Sequence, residues 1–471
     1  MNKKYFKPAA LLALAIMSTP ALAADAPKID TGDTAWMLAS SALVMLMTPG
    51  LAFFYGGLVR AKNSLNTMMM SFIALGLVSV LWALVGYSLA FAPGSSILGG
   101  LNFAFLNGVG QADVYPTAPT IPHLAFMIFQ AMFAIITPAL ISGAIAERMK
   151  FTAYVLFIGL WSLLVYSPLA HMVWSPDGFL FKMGALDFAG GTVVHISAGV
   201  AALVAAIILG PRRGFGKTAF APHNVPFVLL GAGLLWFGWF GFNAGSAVGS
   251  NGLAANAFVT TNMGAAAAML MWSFLEMFRH GKVTAVGAAT GAVVGLVAIT
   301  PAAGFVSPMA ALAIGAIGAA VSFTAIQAKT RFNLDDSLDV FWCHGLGGIT
   351  GALLTGVFAQ KSINPIFKDA SGNPLPVGLI DGNASQLVTQ VLAVLTAVML
   401  SGVGTAVIIY AIKAVMGLRP SNKDEETGLD LADHGEAAYH GGEYGSTSGV
   451  GPIGSSVTLS VPVNAKAVAG D

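Results

Sequence analysis

Eleven strongly apolar stretches divide this chain, and they constrain its fold more than any other feature. They lie at about residues 34–59, 67–91, 122–146, 151–173, 188–210, 225–247, 255–278, 284–300, 307–328, 340–358 and 386–412. Most reach the roughly 20 residues that a helix needs to cross the hydrocarbon core of a bilayer. Charged residues make up only 9% of the chain, against about 25% in ordinary soluble domains. The sequence therefore predicts an all-α integral membrane protein with eleven transmembrane helices.

The N-terminus is typical of a secretory signal. Three lysines precede a short apolar run at residues 9–17, and Ala-Leu-Ala at residues 21–23 offers a cleavage site between small side chains. The run is too short to span a bilayer. We therefore expect residues 1–23 to be a signal peptide and the mature N-terminus to lie outside.

The placement of lysine and arginine agrees with that orientation. With the N-terminus outside, the predicted outer segments contain Lys28, Lys182, Lys361 and Lys368. The predicted inner loops and tail contain Arg60, Lys62, Arg148, Lys150, Arg212, Arg213, Lys217, Arg279, Lys282, Lys329, Arg331, Lys413, Arg419 and Lys423. This excess follows the positive-inside rule, so we expect the N-terminus outside and the C-terminus inside.

Two histidines lie well inside predicted spans, His195 in the fifth and His344 in the tenth. A titratable side chain in the bilayer core is costly and marks a functional site by default. Each histidine follows an aspartate in a glycine-rich context, and we pair Asp187 with Asp339 on that basis. The histidines occupy the fifth and the tenth of eleven spans, so the sequence predicts two five-helix repeats plus a final helix, and the second repeat is inverted because five is an odd number. Such repeats are typical of transporters with a site near the midplane; the alternative is two unrelated buried histidines.

Several other side chains have both a structural and a functional interpretation. Asp187 is placed to cap the fifth helix, which stabilises a helix by about 1 kcal/mol, or to put a negative charge near an outer vestibule. Trp174 suits an interfacial anchor. Helical spacing puts Phe126, Phe129 and Phe133 on one side of the third span, where aromatic residues ordinarily pack. Residues 239–246 place aromatic faces and the Ser246 hydroxyl near the outer end of the sixth span.

The motifs of several enzyme classes are missing from the sequence. It contains no Walker A motif, no HExxH, no CxxC and no nucleophile elbow. Two mid-membrane histidines could ligate haem iron, but the glycines around them leave little room for a porphyrin. A net charge of +1 gives no indication of nucleic-acid binding. We therefore expect a protein that is not an enzyme and that needs neither a cofactor nor a metal.

Long motifs distributed along the chain resemble the bacterial Amt branch of the Amt/Mep/Rh superfamily of ammonium transporters. They are MTPGLAFFYGG at residues 47–57, AIAER at 144–148, ALDFAGGTVVH at 185–195, GWFGFNAGS at 238–246, DDSLDVFWCHG at 335–345 and GLDLADHGEAAY at 428–439. Together they extend from about residue 32 to residue 440, in the order of the family. The resemblance implies a homotrimer in the bacterial inner membrane, with a narrow hydrophobic pore in each protomer.

The resemblance also implies roles for particular side chains. Phe133, Trp174 and Ser246 would recruit ammonium at the outer side, and Phe133 and Phe242 would form the gate below. His195 and His344 would form the pore and proton relay. Asp187 would support recruitment and deprotonation. Aromatic faces attract a cation by about 0.5–2 kcal/mol, whereas a bare ion in an apolar pore loses tens of kcal/mol of solvation in an idealised estimate. We therefore predict that ammonia and its proton cross separately, with net charge movement. The alternatives are a neutral gas channel of the Rh type and an ammonium sensor that hardly transports.

The chain after the last span changes character. After the signal peptide, we divide the chain into a membrane domain at residues 24–417, a cytosolic regulatory tail at 418–440 and a disordered stretch at 441–471. The regulatory tail is acidic, with Asp424, Glu425, Glu426, Asp430, Asp433 and Glu436. By resemblance this tail would contact a trimeric PII-type signalling protein, whereas a solvated terminus is the structural alternative. No role is expected for residues 441–471.

Overall fold

The computed structural model describes residues 28–332 and 334–439. The predicted signal peptide at residues 1–23 and the predicted disordered stretch at 441–471 therefore lie outside the described residues. Within the described part, all regular structure is helical, and β pairing is limited to isolated bridges. The predicted all-α membrane fold is confirmed.

Eleven apolar helices follow one another in the described chain, and all but one are long enough to cross a membrane. They are α1 (Thr31–Leu58), α2 (Ala61–Phe91), α3 (His123–Ile145), α4 (Phe151–Met183), α5 (Gly191–Leu209), α6 (Val225–Ala247), α7 (Gly252–His280), the shorter α8 (Ala285–Ile299), α9 (Pro308–Ala328), α10 (Phe341–Phe358) and α11 (Ser385–Met416). Two short helices follow, α12 (Asn422–Thr427) and α13 (Leu429–His434). The protein is thus a multi-pass membrane protein.

Polar caps determine where several of these helices begin. The Asn224 side chain accepts a hydrogen bond from the Phe227 amide at the start of α6, and Asn251 caps α7 in the same way. Thr284 caps α8 and Ser307 caps α9. A side-chain oxygen at this position satisfies an amide that has no partner within its own helix.

Helices α5 and α10 approach each other at two glycines. A Cβ atom added to Gly199 would lie only 2.2 Å from the Gly345 nitrogen and 2.3 Å from its Cα. Small residues allow helix backbones to come this close in lipid. Gly199 follows His195 by about one helical turn, and Gly345 directly follows His344. The glycine contact therefore brings the two histidines of α5 and α10 together.

Buried ion pairs join the loops at one end of the bundle. Glu147 pairs with Arg60 at 2.8 Å and with Arg212 at 3.3 Å, and Arg212 pairs with Asp335 at 2.8 Å. Arg148 is fully buried and donates to the Asp335 backbone oxygen at 2.5 Å. We call Arg60, Glu147, Arg148, Arg212 and Asp335 the arginine–carboxylate cluster. It gathers the ends of α1, α3, α5 and the start of α10 on one face, which is the predicted cytosolic face.

The tail helices α12 and α13 pack against this same face. The Asp430 carboxylate accepts hydrogen bonds from the backbone amides of Leu65 and Asn66, at 3.1 and 2.7 Å. The Asp433 carboxylate accepts from the Phe151 amide at 3.2 Å. These amides belong to the first turns of α2 and α4, where carboxylates are favoured by unpaired N–H groups and the helix dipole. The acidic residues of the tail therefore cap membrane helices as well as facing solvent.

Replacement of Gly199 by alanine should destabilise the protein. The new methyl group would overlap the Gly345 backbone, and overpacking of this kind costs about 1–3 kcal/mol. Gly233→Ala is a matched control on α6, because no atom lies within 4 Å of the Cβ position there. Thermal unfolding in detergent should give a lower midpoint for Gly199→Ala than for Gly233→Ala. Equal midpoints would mean that the two helices can separate without cost.

Candidate functional site

Three of the predicted site residues lie in π-helical turns. His195 belongs to the turn Gly191–Ile196, Phe242 to Phe240–Ala244 and His344 to Phe341–Gly345. A π turn inserts an extra residue into an α-helix and is frequent at functional sites. The three turns belong to α5, α6 and α10, and all three side chains are buried. Three different helices thus contribute side chains to one region of the protein interior.

Aromatic rings form a continuous series that leads to this region. Trp174 meets Phe133 edge-on, with ring centroids 5.9 Å apart. Phe133 stacks on Phe242 at 4.2 Å, and the Phe242 ring lies 6.0 Å from the ring of His195. The structure therefore brings together the residues predicted for recruitment and gating, in the order that passage from Trp174 to the histidines would require.

The series begins at an open vestibule of about 430 Å³. Phe133, Trp174, Ser246 and Asp187 all line it, together with Phe126 from the aromatic side of α3. The Ser246 hydroxyl donates to the Phe242 backbone oxygen at 2.8 Å. Because its hydrogen is engaged there, its oxygen lone pairs are left for a donor in the vestibule. The vestibule thus combines aromatic faces with an acceptor oxygen.

Asp187 supports this vestibule from below. Its carboxylate accepts hydrogen bonds from the amides of Gly190, Thr192 and Val193 at 2.9, 2.9 and 3.0 Å. Its backbone oxygen accepts a hydrogen bond from the Trp174 indole nitrogen at 3.0 Å. Burial raises the pKa of the Asp187 carboxyl to about 6, although the amide hydrogen bonds oppose that rise. Asp187 therefore caps the start of α5 and also holds the Trp174 ring in place.

The two histidines meet through their Nδ1 atoms. These nitrogens are 3.3 Å apart, and Trp239 stacks on His195 with ring centroids 5.3 Å apart. One Nδ1 must donate and the other accept, so the contact is satisfied when the pair shares one proton. Among the described residues, His195 Nε2 has no hydrogen-bond partner. It can therefore accept a hydrogen bond from, or donate one to, a small molecule.

The cavity around the pair is narrow and largely apolar. Its volume is about 10 Å³, and its lining is His195, His344, Tyr55 and the apolar residues Met47, Leu51, Phe54, Ile136, Leu140, Val194, Leu235, Trp239, Phe242 and Val293. Such a passage would admit a small neutral molecule and would desolvate an ion. In the described part of the chain, no group of three or more His, Cys, Asp or Glu side chains could hold a metal ion.

Two further residues of the vestibule region were not singled out from the sequence. Gln130 lines the vestibule, and its buried Oε1 atom has no hydrogen-bond partner among the described residues. His171 is fully buried one turn before Trp174, with its two ring nitrogens 2.9 and 2.8 Å from the backbone oxygens of Ala90 and Ser95. At least one ring nitrogen donates to these oxygens, and the contact ties α4 to the last turn of α2 and to the loop after it. Gln130 is not titratable, and His171 lies near the end of its predicted span, so the sequence analysis did not single out either residue.

The structure corrects one pairing made from the sequence. Asp339, which we matched with Asp187, forms an ion pair with Lys329. Asp336 instead accepts the Phe341 amide at 2.8 Å, at the start of α10. Asp336 precedes His344 by the same eight residues that separate Asp187 from His195. Asp336 is therefore the counterpart of Asp187, and the error arose because sequence alone does not show which carboxylate caps a helix.

Comparisons with known proteins show the family of this chain. The sequence profile of the Ammonium Transporter Family matches residues 35–439. The chain belongs to this family. Its predicted resemblance is confirmed, and membership in a family of transporters also confirms the prediction that the protein is not an enzyme.

Individual relatives match this chain over most of their length. It is 50% identical to the ammonium transporter of Bacillus subtilis over 409 residues, which are 87% of this chain and 98% of the relative. It is 50% identical to the ammonium transporter of Aquifex aeolicus over 431 residues, 91% of this chain and 97% of that one. The crystal structure of Saccharomyces cerevisiae Mep2 superposes with a TM-score of 0.78 and 35% identity, covering 84% of this chain and 89% of Mep2. A structure described as a sensor Amt protein gives a TM-score of 0.77 at 29% identity, covering 86% and 98% of the two chains.

Removal of the Asp187 carboxylate should destabilise the protein. In Asp187→Ala three backbone amides would lose their acceptor in a buried site, and one unsatisfied buried donor costs about 1–3 kcal/mol. Asp187→Asn is the matched variant, because its amide oxygen can still accept some of these bonds. Thermal unfolding in detergent should rank wild type above Asn and Asn above Ala. A midpoint for Asp187→Ala equal to that of the wild type would contradict the capping role.

Proposed function

We propose that this protein is an electrogenic ammonium transporter of the bacterial inner membrane. It recruits NH4+ at the vestibule, removes one proton there and conducts NH3 past His195 and His344, while the proton crosses separately. The observation that supports this most directly is the continuous series from Trp174 through Phe133 and Phe242 to the histidine pair. The Bacillus subtilis and Aquifex aeolicus relatives are both named ammonium transporters.

Recruitment of a cation depends on the vestibule. Trp174 and Phe133 present aromatic faces, each of which attracts a cation by about 0.5–2 kcal/mol, with more when the cation is desolvated. The Ser246 oxygen can accept one N–H, and the unpartnered Gln130 Oε1 atom offers another acceptor on the same wall. Ammonium has four N–H donors, so this combination favours it over a cation that cannot donate hydrogen bonds.

Deprotonation follows from the change in surroundings below the vestibule. Beyond the stacked Phe133 and Phe242 rings, a bare NH4+ would lose its hydration in a cavity of about 10 Å³. Loss of a proton removes that cost, because NH3 is neutral. The Asp187 charge favours a cation next to it until the proton leaves. The desolvating passage, more than any single base, therefore drives the separation of ammonia from its proton.

The histidine pair provides polar partners where the pore is otherwise apolar. A neutral imidazole has one donor and one acceptor, so each ring can bind NH3 weakly while the Nδ1 contact fixes the tautomers. When the Nε2 atom of the first ring takes up a proton, the shared proton can move to the Nδ1 atom of the second ring, whose Nε2 atom then releases its own proton. The pair can thus pass a proton without a lasting buried charge.

Two other functions deserve a test against this one. A neutral NH3 gas channel would use the same pore without net charge movement, but it has no need of the aromatic faces and acceptors at the vestibule. An ammonium sensor is favoured by one comparison, the likeness to the structure described as a sensor Amt protein. A sensor would bind ammonium yet fail to support growth of a transport-deficient strain at low ammonium, whereas a transporter would restore that growth.

Charge movement after an ammonium jump in proteoliposomes tests the proposal. The wild type should give a transient current together with a change of internal pH. His195→Asp and His344→Ala should show altered or non-selective current, and His195→Ala should lose conductance or K+ exclusion while remaining folded, because each change breaks the Nδ1 contact. A pH change without current in the wild type would refute electrogenic transport and support a gas channel.

The tail and the oligomeric state complete the proposal. By family resemblance we propose a homotrimer, and residues 418–440 as a docking element for a PII-type signalling protein. The exposed side chains of Leu270, Phe274 and Phe278 on α7 form an apolar face that lipid or a neighbouring protomer would cover. The acidic tail lies on the predicted cytosolic face, where such a partner would meet it.

Deletion of the residues after Leu418 should abolish capture of a PII-type protein by the purified transporter. Asp430→Asn with Asp433→Asn provides a milder variant, because it weakens the contacts that hold the tail on α2 and α4. Pull-down with a purified PII-type protein, at matched amounts of folded transporter, measures the effect. Undiminished capture by the truncated protein would exclude the tail as the docking element.

A further inference from the structure

Three carboxylates lie close together where the chain enters α10, and they differ in their partners. Asp335 pairs with Arg212 within the arginine–carboxylate cluster. Asp339 pairs with Lys329. Asp336, between them, accepts the Phe341 amide through Oδ2, but its Oδ1 atom has no hydrogen-bond partner among the described residues. Only Asp336 lacks a basic partner in ion-pair contact.

The environment of Asp336 makes this arrangement costly. The residue is 2% exposed. A buried acceptor without a partner costs about 1–3 kcal/mol, and more when it is charged. A side chain needed only to cap α10 could be an asparagine or a serine, which would avoid the charge. A capping role alone therefore does not account for an aspartate at this position.

Asp336 lies beside the wall of the pore. The Tyr55 ring, which lines the narrow cavity together with both histidines, packs within 2.7 Å of the Cβ position of Gly143. The Val340 side chain lies equally close to that same position, so Tyr55 adjoins the start of α10. An electrostatic interaction links Asp336 to Tyr55 directly. The carboxylate is thus between the histidine cavity and the arginine–carboxylate cluster.

We propose that Asp336 is the proton-accepting group on the cytosolic side of the pore. This inference rests on the proposed electrogenic function. Asp336 mirrors Asp187, because each precedes its histidine by eight residues and each accepts amide hydrogen bonds at the start of the helix. One carboxylate stands where the proton enters, and the other stands where it leaves.

The protons balance in this scheme. At the vestibule one N–H bond of NH4+ breaks, its electron pair stays on nitrogen, and NH3 enters the pore. In this scheme the proton passes the histidine pair and then water to reach Asp336 Oδ1, whose residue precedes His344 by eight positions. The carboxylic acid then gives the proton to cytosolic water, and emerging NH3 takes up a proton there. The net result is transfer of one NH4+, which carries one positive charge.

The charged groups around Asp336 are consistent with binding and release of a proton by its carboxyl near neutral pH. The groups that interact with it are Asp339 from its own loop, Lys329 just after α9, Arg148 after α3, Tyr55 on α1 and Cys343 on α10. Burial, reinforced by the charge of Asp339, raises the pKa of the Asp336 carboxyl to about 7. For Asp335 burial also raises the pKa, but hydrogen bonds and charge from Arg212 outweigh it and lower the value. A carboxyl that both binds and releases a proton at cytosolic pH fits the role.

Asp336→Asn separates the proposed role from capping. Asparagine has nearly the same shape and can still accept the Phe341 amide, but it cannot take up a proton. Proteoliposomes with an internal pH dye and a current readout should show at least a tenfold loss of the ammonium-induced current with an unfolding midpoint near that of the wild type. The dye should still report entry of ammonia. Asp336→Glu should restore part of the current, and Asp113→Asn, at an exposed acid of the outer loop, should leave it unchanged.

The outcomes distinguish this inference from the proposed function. A wild type without current refutes the proposed function and, with it, this inference. A wild-type current that persists undiminished in folded Asp336→Asn overturns the inference alone. Loss of both current and ammonia entry in folded Asp336→Asn, without recovery in Asp336→Glu, also overturns it, because the residue would then serve the shape of the pore.

Discussion

The contact between Gly199 and Gly345 is the feature on which the pore depends. Without side chains at these positions, α5 and α10 approach until a Cβ atom on one would overlap the backbone of the other. Only at that distance do the Nδ1 atoms of His195 and His344 come within 3.3 Å. The same approach leaves a cavity of about 10 Å³ beside them. Small residues therefore set both the polar contact and the width of the passage.

A second constraint is the cost of charge inside the protein. The arginine–carboxylate cluster is largely buried, yet each of its carboxylates has a guanidinium partner. Burial raises the pKa of Glu147, but hydrogen bonds and charge from Arg60 and Arg212 outweigh it and lower the pKa. A buried pair is a weak source of stability, whereas removal of one partner is costly. The cluster thus holds together the loops that follow α1, α3 and α5 and the loop that precedes α10.

Part of the fold and of the candidate site could be predicted from the sequence, and part could not. Long apolar stretches predicted the membrane helices because hydropathy needs no knowledge of contacts. His195, His344 and Asp187 stood out for the same reason, since polar residues are rare there. By contrast, Gln130 is not titratable and His171 lies near the end of its predicted span, so neither stood out, and the choice between Asp336 and Asp339 depended on which carboxylate meets the Phe341 amide. Sequence reveals which residues are unusual but not which partners they find.

In the proposed scheme two capping aspartates serve the entry and the exit of the proton. Each carboxylate accepts amide hydrogen bonds at the start of its helix, although capping alone would not require a charged side chain at Asp336. Their surroundings differ, because Asp187 accepts three amides and holds Trp174, whereas Asp336 accepts one amide and keeps a bare oxygen. More hydrogen bonds stabilise the charged form at Asp187, whereas the charge of Asp339 disfavours it at Asp336, and burial raises the pKa of the two carboxyls to about 6 and about 7. Each carboxyl can therefore bind and release a proton near neutral pH, and the gradients of ammonium and protons across the membrane, not the two sites, set the direction of net passage.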